Sequence, residues 1–223
     1  MAQITKKWLK NHFAYSWWKY LVLTVACVMG VDMLFAMTAY RVPEDKNVEV
    51  YILNGYADSQ ALQDALWASL SKAYPEQEQL TVQCIDLAGG DMYAALQFST
   101  YIAAQQGDVC LMPADEVEKL AADGADYAFL ELTPFVESGL IDTQGIDLTA
   151  GRMRASDGRE GLYAIPADCL GGLMALGNDA AGSMLCILDF SGNDECAAYV
   201  LGQMLALYRG ERPAQETPQT NIF

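Results

Sequence analysis

Histidine is nearly missing from this chain, since His12 is the only one in 223 residues. After residue 41 there is none, which excludes Ser–His and Cys–His nucleophile pairs and histidine-based metal sites from that part. The sequence also lacks a G-x-S-x-G motif and a Walker phosphate-binding loop. We therefore expect no enzyme, no metal and no cofactor. One enzymatic alternative is left open, a hydrolase with two carboxylates about 5–10 Å apart in one groove, although no sequence pattern indicates it.

Basic residues are scarce after the first 41 positions. Residues 42–223 hold 28 Asp and Glu against 8 Lys and Arg, a net charge of −20. Such a domain repels phosphate backbones, so we expect no nucleic-acid partner. The acidity itself is typical of a soluble surface.

The six cysteines include no C-x-x-C pair. Cys84 and Cys110 fall inside predicted strands, where we expect them to be small buried hydrophobes. The spacing of Cys186 and Cys196 is compatible with a disulfide but does not establish one, and buried thiols are the favoured interpretation.

One long apolar run dominates the N-terminal part, from Tyr20 to Tyr40. Its length suits a helix that crosses a hydrocarbon core of about 30 Å. Aromatic residues flank it at Trp17 and Trp18, and lysines cluster before it, whereas only Arg41 follows closely. The positive-inside rule therefore predicts a cytoplasmic N-terminus and an extracytoplasmic domain at the cell membrane.

Two rival interpretations of this run stay open. A cleaved signal peptide needs a shorter apolar core and a small-residue cleavage site. The residues from Leu23 to Cys27 look like a lipobox, but the chain stays apolar for about a dozen residues beyond that cysteine. We favour an uncleaved helix. Asp32 lies inside it and is either a contact for another helix or a carboxylate that reaches water.

The expected organisation is a cytoplasmic or interfacial segment, a transmembrane helix, a linker, an α/β domain and a disordered tail. The respective ranges are 1–19, 20–40, 41–47, 48–208 and 209–223. The first segment places tryptophan and phenylalanine between lysines, which is typical of a helix in the headgroup layer.

Apolar strands and amphipathic helices alternate along the outer domain. Strands are expected at 48–53, 80–87, 108–112, 161–166 and 184–190, with a short extended piece at 127–132. Helices are expected at 58–74, capped by Asp58, then at 91–106, 113–122 and 195–208. We expect residues 141–158 to be a loop. The alternation predicts a three-layer α/β domain, in which helices flank a mainly parallel sheet.

Ligands of open parallel sheets lie beyond the carboxyl ends of the strands. We therefore expect any small solute to bind where the turns after these strands meet. The candidate ligand-binding residues are Asn54, Tyr56, Gly90, Asp91, Pro113, Asp115 and Asp168.

Four segments carry a resemblance to a known family. They read GDVCLMPADEVEKLAADGA from Gly107, FLELTPFVESG from Phe129, DGREGLYAIPAD from Asp157 and LCILDFSGNDECAAYVLGQML from Leu185. In this order they resemble extracellular solute-binding proteins of family 1, the sugar-binding class with a type II periplasmic-binding fold. The resemblance implies one lobe of such a protein, over most of residues 47–208.

The chain departs from that family after Pro166. There the family continues into a whole second lobe, whereas this chain reaches its last strand within about twenty residues. The resemblance thus implies a single lobe with half a cleft. We expect a membrane-anchored, non-enzymatic binding module, whose partner is a small solute or a membrane protein such as a transporter subunit. The alternative is a structural or assembly protein that acts through its transmembrane and N-terminal segments.

Overall fold

The computed structural model describes residues 6–54, 58–87, 92–178 and 180–210, with side chains from residue 17 onward. The chain separates into two compact units, Met1–Arg41 and Val42–Phe223.

The first unit is one long helix, α1 (Lys6–Thr38). Its stretch Trp17–Thr38 has 22 residues and a mean hydropathy of 2.1, and its side chains are exposed. This stretch is long and apolar enough to cross a bilayer. The interfacial segment predicted before the span is continuous with it from Lys6, so the two form a single helix.

The second unit alternates strands and helices as expected through its first half. The strands are β1 (Asn47–Leu53), β2 (Gln79–Ile85), β3 (Val109–Pro113), β4 (Arg152–Arg154), β5 (Glu160–Leu162), β6 (Ala164–Pro166) and β7 (Ser183–Ile187). The helices are α2 (Ser59–Ala73), α3 (Met92–Ala103), α4 (Ala114–Leu120), α5 (Thr133–Glu137) and α6 (Asp194–Tyr208). As predicted, Asp58 caps α2, because its Oδ1 accepts a hydrogen bond from the Ala61 N–H at 3.1 Å.

The main sheet has five strands in the order β2-β1-β3-β7-β6. β1 pairs in parallel with both β2 and β3, while β7 runs antiparallel to β3 and to β6. Each parallel connection passes through a helix, as right-handed crossovers require. The mainly parallel α/β sheet predicted from the sequence is confirmed, with one antiparallel strand inside it.

Two apolar layers cover the two faces of this sheet. Along β1 the buried side chains alternate, so that Val50 and Ile52 face one layer while Tyr51 and Leu53 face the other. The first layer holds α2 and α6, and the second holds residues of α3 and α4. We call them the α2 layer and the α3 layer.

The middle of the domain differs from the prediction. A 3-10 turn ends at Tyr127, and residues 128–132 form a single bridge at Phe129 instead of a strand, because the backbone ladder with Leu188 is one residue long. Pro134 follows at the start of α5, a position where its fixed φ favours a helix that was not predicted. The loop predicted for 141–158 contains β4, which pairs with β5.

The strand predicted over 161–166 is split in two at Tyr163. β5 belongs to the hairpin with β4, and β6 belongs to the main sheet. Gly151 allows the chain to pass from the hairpin into the main sheet, since a Cβ at this position would lie 1.8 Å from the Ala164 carbonyl oxygen. Only glycine allows the two backbones to approach this closely.

One expectation about the cysteines is wrong, whereas the favoured interpretation of Cys186 and Cys196, buried thiols that are not joined to each other, agrees with the structure. Cys84 is exposed instead of buried, because it lies near the end of the edge strand β2, at the margin of the sheet. Cys186 lies in the α3 layer while Cys196 lies in the α2 layer, so the sheet separates the two thiols that a disulfide would have to join.

Candidate functional site

The candidate site is the crevice between the carboxyl ends of β1 and β3. From β1 the chain moves outward to β2 and then returns across β1 to β3. The helices after β1 and β2 therefore lie on opposite faces of the sheet, which opens a crevice at this reversal point. Asn54 and Pro113 lie at its two sides.

Asn54 links the turns that follow β1 and β2. Its backbone has a φ of 57°, in the left-handed region that asparagine tolerates. Its N–H donates to the Ile85 carbonyl at 2.9 Å, and its Oδ1 accepts from the Leu87 N–H at 2.8 Å. This side-chain oxygen already has a backbone donor, so its first role is to position the strand ends.

Pro113 and Asp115 lie at the start of α4. Pro113 is the residue before the helix, and Asp115 is exposed. Lys119 binds both Asp115 at 3.2 Å and Glu116 at 2.6 Å. The hydrogen bond that Lys119 donates to Glu116, followed by the one it donates to Asp115, raises the pKa of the Lys119 ammonium. The acidic group thus forms a solvated ion-pair cluster on the first turns of the helix.

Asp168 follows β6, which runs parallel to β3, so it lies at the same edge of the sheet. Its Oδ1 accepts a hydrogen bond from the Gly182 N–H at 3.1 Å. It also lines an open depression of about 620 Å³ together with Cys169 and Arg209. Arg209 donates to the carbonyls of Gln144 and Asp142 there, which leaves less of its guanidinium for an outside group.

The segment 171–182 lies across the crevice. Near its middle the Leu176 carbonyl accepts from the Asp58 N–H at 2.8 Å, beside the start of α2. At its end the Gly182 carbonyl accepts from the Ala114 N–H at 3.1 Å, at the start of α4. We call residues 171–182 the bridging segment, since its described part joins the helices that follow β1 and β3.

The bridging segment is anchored by apolar burial. Leu173 and the preceding Leu170 are fully buried in the α2 layer. Asn178 is also buried, at 2% exposure, and its Nδ2 has no hydrogen-bond partner among the described residues. A buried amide without a partner costs roughly 1–3 kcal/mol, so this position works against the stability that the leucines supply.

Three of the predicted site residues, Tyr56, Gly90 and Asp91, lie outside the described residues. The other four lie at one edge of the sheet, and their role in ligand binding stays a prediction. Each of Asn54, Asp115 and Asp168 has a partner within the chain, and Pro113 supports α4.

A second polar cluster, which the sequence analysis missed, lies at the opposite, amino end of the sheet. Its centre is Asp108, which is 2% exposed. Asp108 Oδ2 accepts from the Glu49 N–H at 2.7 Å, and Oδ1 accepts from the Ser191 hydroxyl. Burial raises the pKa of Asp108 to about 6, against the lowering effect of its hydrogen bonds to Ser191 and Glu49.

Glu49 extends this cluster toward α3. Its Oε2 accepts from the Tyr51 hydroxyl at 2.7 Å, and the Tyr51 ring stacks on Tyr101 with centroids 5.1 Å apart. Burial, followed by the hydrogen bond to Glu49, raises the pKa of Tyr51. The cavity beside Asp108 has a volume of about 30 Å³, enough for one or two waters and far below the 300–1,000 Å³ typical of ligand sites.

The only sequence signal for this cluster is an aspartate directly before a run of apolar residues, Asp108 before β3. Its partners come from distant positions, such as Glu49 and Ser191, so spacing along the chain does not reveal it. Within the described residues, no group of three or more His, Cys, Asp or Glu side chains is arranged to hold a metal ion.

Comparison with known proteins gives partial structural similarity. No protein-family model matches the chain, and no curated protein matches it significantly. Among solved structures, an extracellular solute-binding protein of family 1 from Alicyclobacillus acidocaldarius is similar at a TM-score of 0.38 and 20% identity. The match covers 54% of this chain and 27% of that protein.

Two further structures give comparable values. Apo RafE from Streptococcus pneumoniae has a TM-score of 0.33 at 14% identity, over 57% of this chain and 29% of its own. Maltose-bound MalE3 from T. maritima has a TM-score of 0.34 at 14% identity, over 53% and 28%. The matched part of this chain thus spans less than a third of each neighbour, and no ligand, partner or activity is transferred from them.

Proposed function

We propose that this chain is a membrane-anchored, non-enzymatic binding module on the extracytoplasmic side, and that its outer domain binds a protein partner of the membrane, such as a transporter subunit. The observation that carries this proposal is the bridging segment. It occupies the crevice where a solute would bind in an open parallel sheet.

A small solute needs a site that buries most of its surface. Good sites bury about 70–90% of a ligand, usually between two walls. Here one wall is the lobe itself, and the bridging segment is hydrogen-bonded at Asp58 and Ala114 where the second wall would close. The half-cleft is thus partly filled by the chain, which favours a partner with a broad surface over a solute held by closure.

The exposed face of α3 is suited to such a partner. Met92 and Tyr93 are each 78% exposed, and Leu96 is 62% exposed. They lie within one turn of the helix, while Phe98 is the buried residue that holds the helix on the domain. Grouped large apolar side chains on a surface are typical of protein-interaction sites.

The anchor and its orientation rest on α1. Three lysines precede its apolar stretch, and Lys19 lies near the start of that stretch. The positive-inside rule then assigns the N-terminus to the cytoplasm and the acidic domain to the other side. A domain with a net charge of −20 is repelled by anionic lipid headgroups. We therefore expect it to bind its protein partner and not the lipid surface.

Thermal unfolding of the purified chain with a panel of sugars, amino acids and peptides tests the solute arm. A ligand at 100 times its Kd stabilises a protein by about 2.7 kcal/mol, which raises the Tm of a domain of this size by several degrees. We expect no such shift. A reproducible increase with one compound class would overturn the protein-partner proposal in favour of solute binding.

Photo-crosslinking in the native membrane tests the partner arm. A photoreactive amino acid at Leu96 should crosslink to a defined membrane protein, because that side chain is exposed on the proposed surface. The matched control carries the same group at Glu118, an exposed position on α4. Equal crosslinking at both positions, or none at either, would contradict a specific surface on α3.

The alternative is a structural role of the anchor, favoured by one observation. Asp32 lies inside the apolar stretch of α1, where a carboxylate is costly and usually functional. This alternative predicts that a chain cut after Arg41 still enters its membrane complex, as measured by native gel electrophoresis. Loss of the complex on deleting residues 42–223, with Asp32→Asn tolerated, would favour the outer domain instead.

A further inference from the structure

Two cysteines face each other in the centre of the main sheet. In the antiparallel pairing of β3 with β7, Cys110 is directly opposite Cys186. Hydrogen-bonded pairs recur at every second residue of an antiparallel ladder. On this ladder the Leu188 N–H donates to the Asp108 carbonyl, and the Ala114 N–H donates to the Gly182 carbonyl. Cys110 lies two residues after Asp108, so it forms a hydrogen-bonded pair with Cys186. Opposed residues of that kind have Cα atoms about 5.5 Å apart, within the window of about 4.4–6.8 Å that disulfides require.

The two side chains also share one face of the sheet. Both thiols are 0% exposed and belong to the α3 layer. The Cys186 sulfur lies 3.4 Å from the Cys110 carbonyl oxygen, so this side chain leans toward the opposing strand. Position and face therefore agree for this pair, and both sulfurs are free thiols in this structure.

The remaining cysteines lie elsewhere. Cys196 is in the α2 layer on the other side of the sheet, and Cys169 packs against that same layer. Cys84 is on the exposed edge strand, and Cys27 is in the N-terminal unit. The sheet register thus selects one partner for Cys186.

We propose that Cys110 and Cys186 form a cross-strand disulfide when the domain folds in the presence of a disulfide oxidant. The occurrence of this bond in the cell rests on the proposed extracytoplasmic location, where such oxidants act. The pairing itself rests only on the sheet.

The oxidation is a thiol–disulfide exchange. One thiolate attacks the oxidant disulfide and releases its first thiol, and the second thiolate then attacks the resulting mixed disulfide and releases the other. The two cysteines lose two protons and two electrons and gain the S–S bond. The oxidant disulfide takes up the two electrons and two protons and becomes two thiols.

The bond has to form before the sheet is complete. In the folded domain, burial raises the pKa of the Cys110 thiol, and the neighbouring Cys186 raises it further. A protonated thiol that no solvent reaches is a poor nucleophile. We therefore expect oxidation while β7 approaches β3, after which the bond is shielded from reductants.

The disulfide would join the parallel part of the sheet to the strands added last. It links positions 76 residues apart, so it removes a large loop-closure entropy from the unfolded chain. We expect the oxidised domain to unfold about 5–15 °C above the reduced domain.

Refolding of the full chain in detergent tests the pairing. The protein is reduced, refolded in a mixture of reduced and oxidised glutathione, quenched with acid and alkylated in denaturant. We expect alkylation of four of the six cysteines without reduction and of all six after it. Cleavage before aspartate then releases residues 108–114 and 179–188, each with one cysteine, joined in a single disulfide-linked species.

Variants make the result specific. Cys186→Ala should leave all five remaining thiols open to alkylation, whereas Cys196→Ala, which removes a buried cysteine of the other layer, should keep the bond. Six alkylated thiols in wild-type protein with native circular dichroism would overturn the proposal. So would a disulfide between any other two cysteines.

A second experiment distinguishes the Cys110–Cys186 pairing from the proposed extracytoplasmic location. Cells that produce the chain are quenched in acid and alkylated at once. Four alkylated thiols indicate that the domain met an oxidant in the cell. Six, combined with a correct disulfide after refolding, would refute the extracytoplasmic location and leave the pairing intact.

Discussion

Replacing Asp108 by asparagine should stabilise the α/β domain at neutral pH and reduce the pH dependence of its stability. The carboxylate is 2% exposed at the amino end of the sheet, beside Glu49. Asparagine keeps the geometry, since its oxygen can accept from the Glu49 N–H and its amide can donate to the Ser191 hydroxyl. The substitution removes only the charge that burial disfavours.

The magnitude follows from the pKa of Asp108. Burial raises it from 3.8 to about 6, so between these values the folded state holds a proton that the unfolded state has lost. Stability therefore falls as pH rises through this window. At 1.36 kcal/mol per pKa unit the full cost is about 3 kcal/mol, of which about 2 kcal/mol falls between pH 4.5 and 7.5.

Urea unfolding of wild-type and Asp108→Asn protein at about pH 4.5 and pH 7.5 measures this cost. The free energy gained by the variant should be larger at pH 7.5 than at pH 4.5, by about 2 kcal/mol. Asp123→Asn, an exposed position with the same change in net charge, is the control. If Asp108→Asn instead destabilises the domain equally at both pH values, hydrogen bonding outweighs desolvation and the argument fails.

Three further predictions concern packing and topology. Gly151→Ala should destabilise the domain by about 3 kcal/mol or more in urea, because its Cβ would meet the Ala164 carbonyl at 1.8 Å, whereas Gly210→Ala, with its nearest atom at 3.8 Å, should be nearly neutral. Leu66→Ala should cost about 2–5 kcal/mol, since this side chain is buried in the α2 layer, and a loss under 1 kcal/mol would contradict that packing. Cys84 is exposed, so a membrane-impermeant maleimide should label it in intact spheroplasts, and labelling only after lysis would reverse the predicted orientation.

Local signals in the sequence were sufficient for the N-terminal apolar helix and for the first half of the domain. α1 follows from an uninterrupted apolar run, and α2 from a capping aspartate and leucines at helical spacing. β1 and β3 are short apolar runs between turn residues. In each case the spacing of apolar residues along the chain already marks which face of the element will be buried, so a pattern along the sequence is informative.

Contacts between distant segments decided the rest. The division of the predicted strand at Tyr163 into β5 and β6 depends on the close approach of Gly151 to Ala164. No periodicity in the sequence predicts that contact. The bridging segment is held by backbone groups of Asp58 and Ala114, and backbone hydrogen bonds leave no trace in side-chain composition.

The sequence by itself determined that the domain carries no histidine, that its charge is strongly negative and that an apolar helix precedes it. Only the tertiary structure placed Cys110 opposite Cys186 and buried Asp108 beside Glu49 and Ser191. Those pairings depend on sheet register and on which face each side chain occupies, and both are set by packing between segments far apart in the chain.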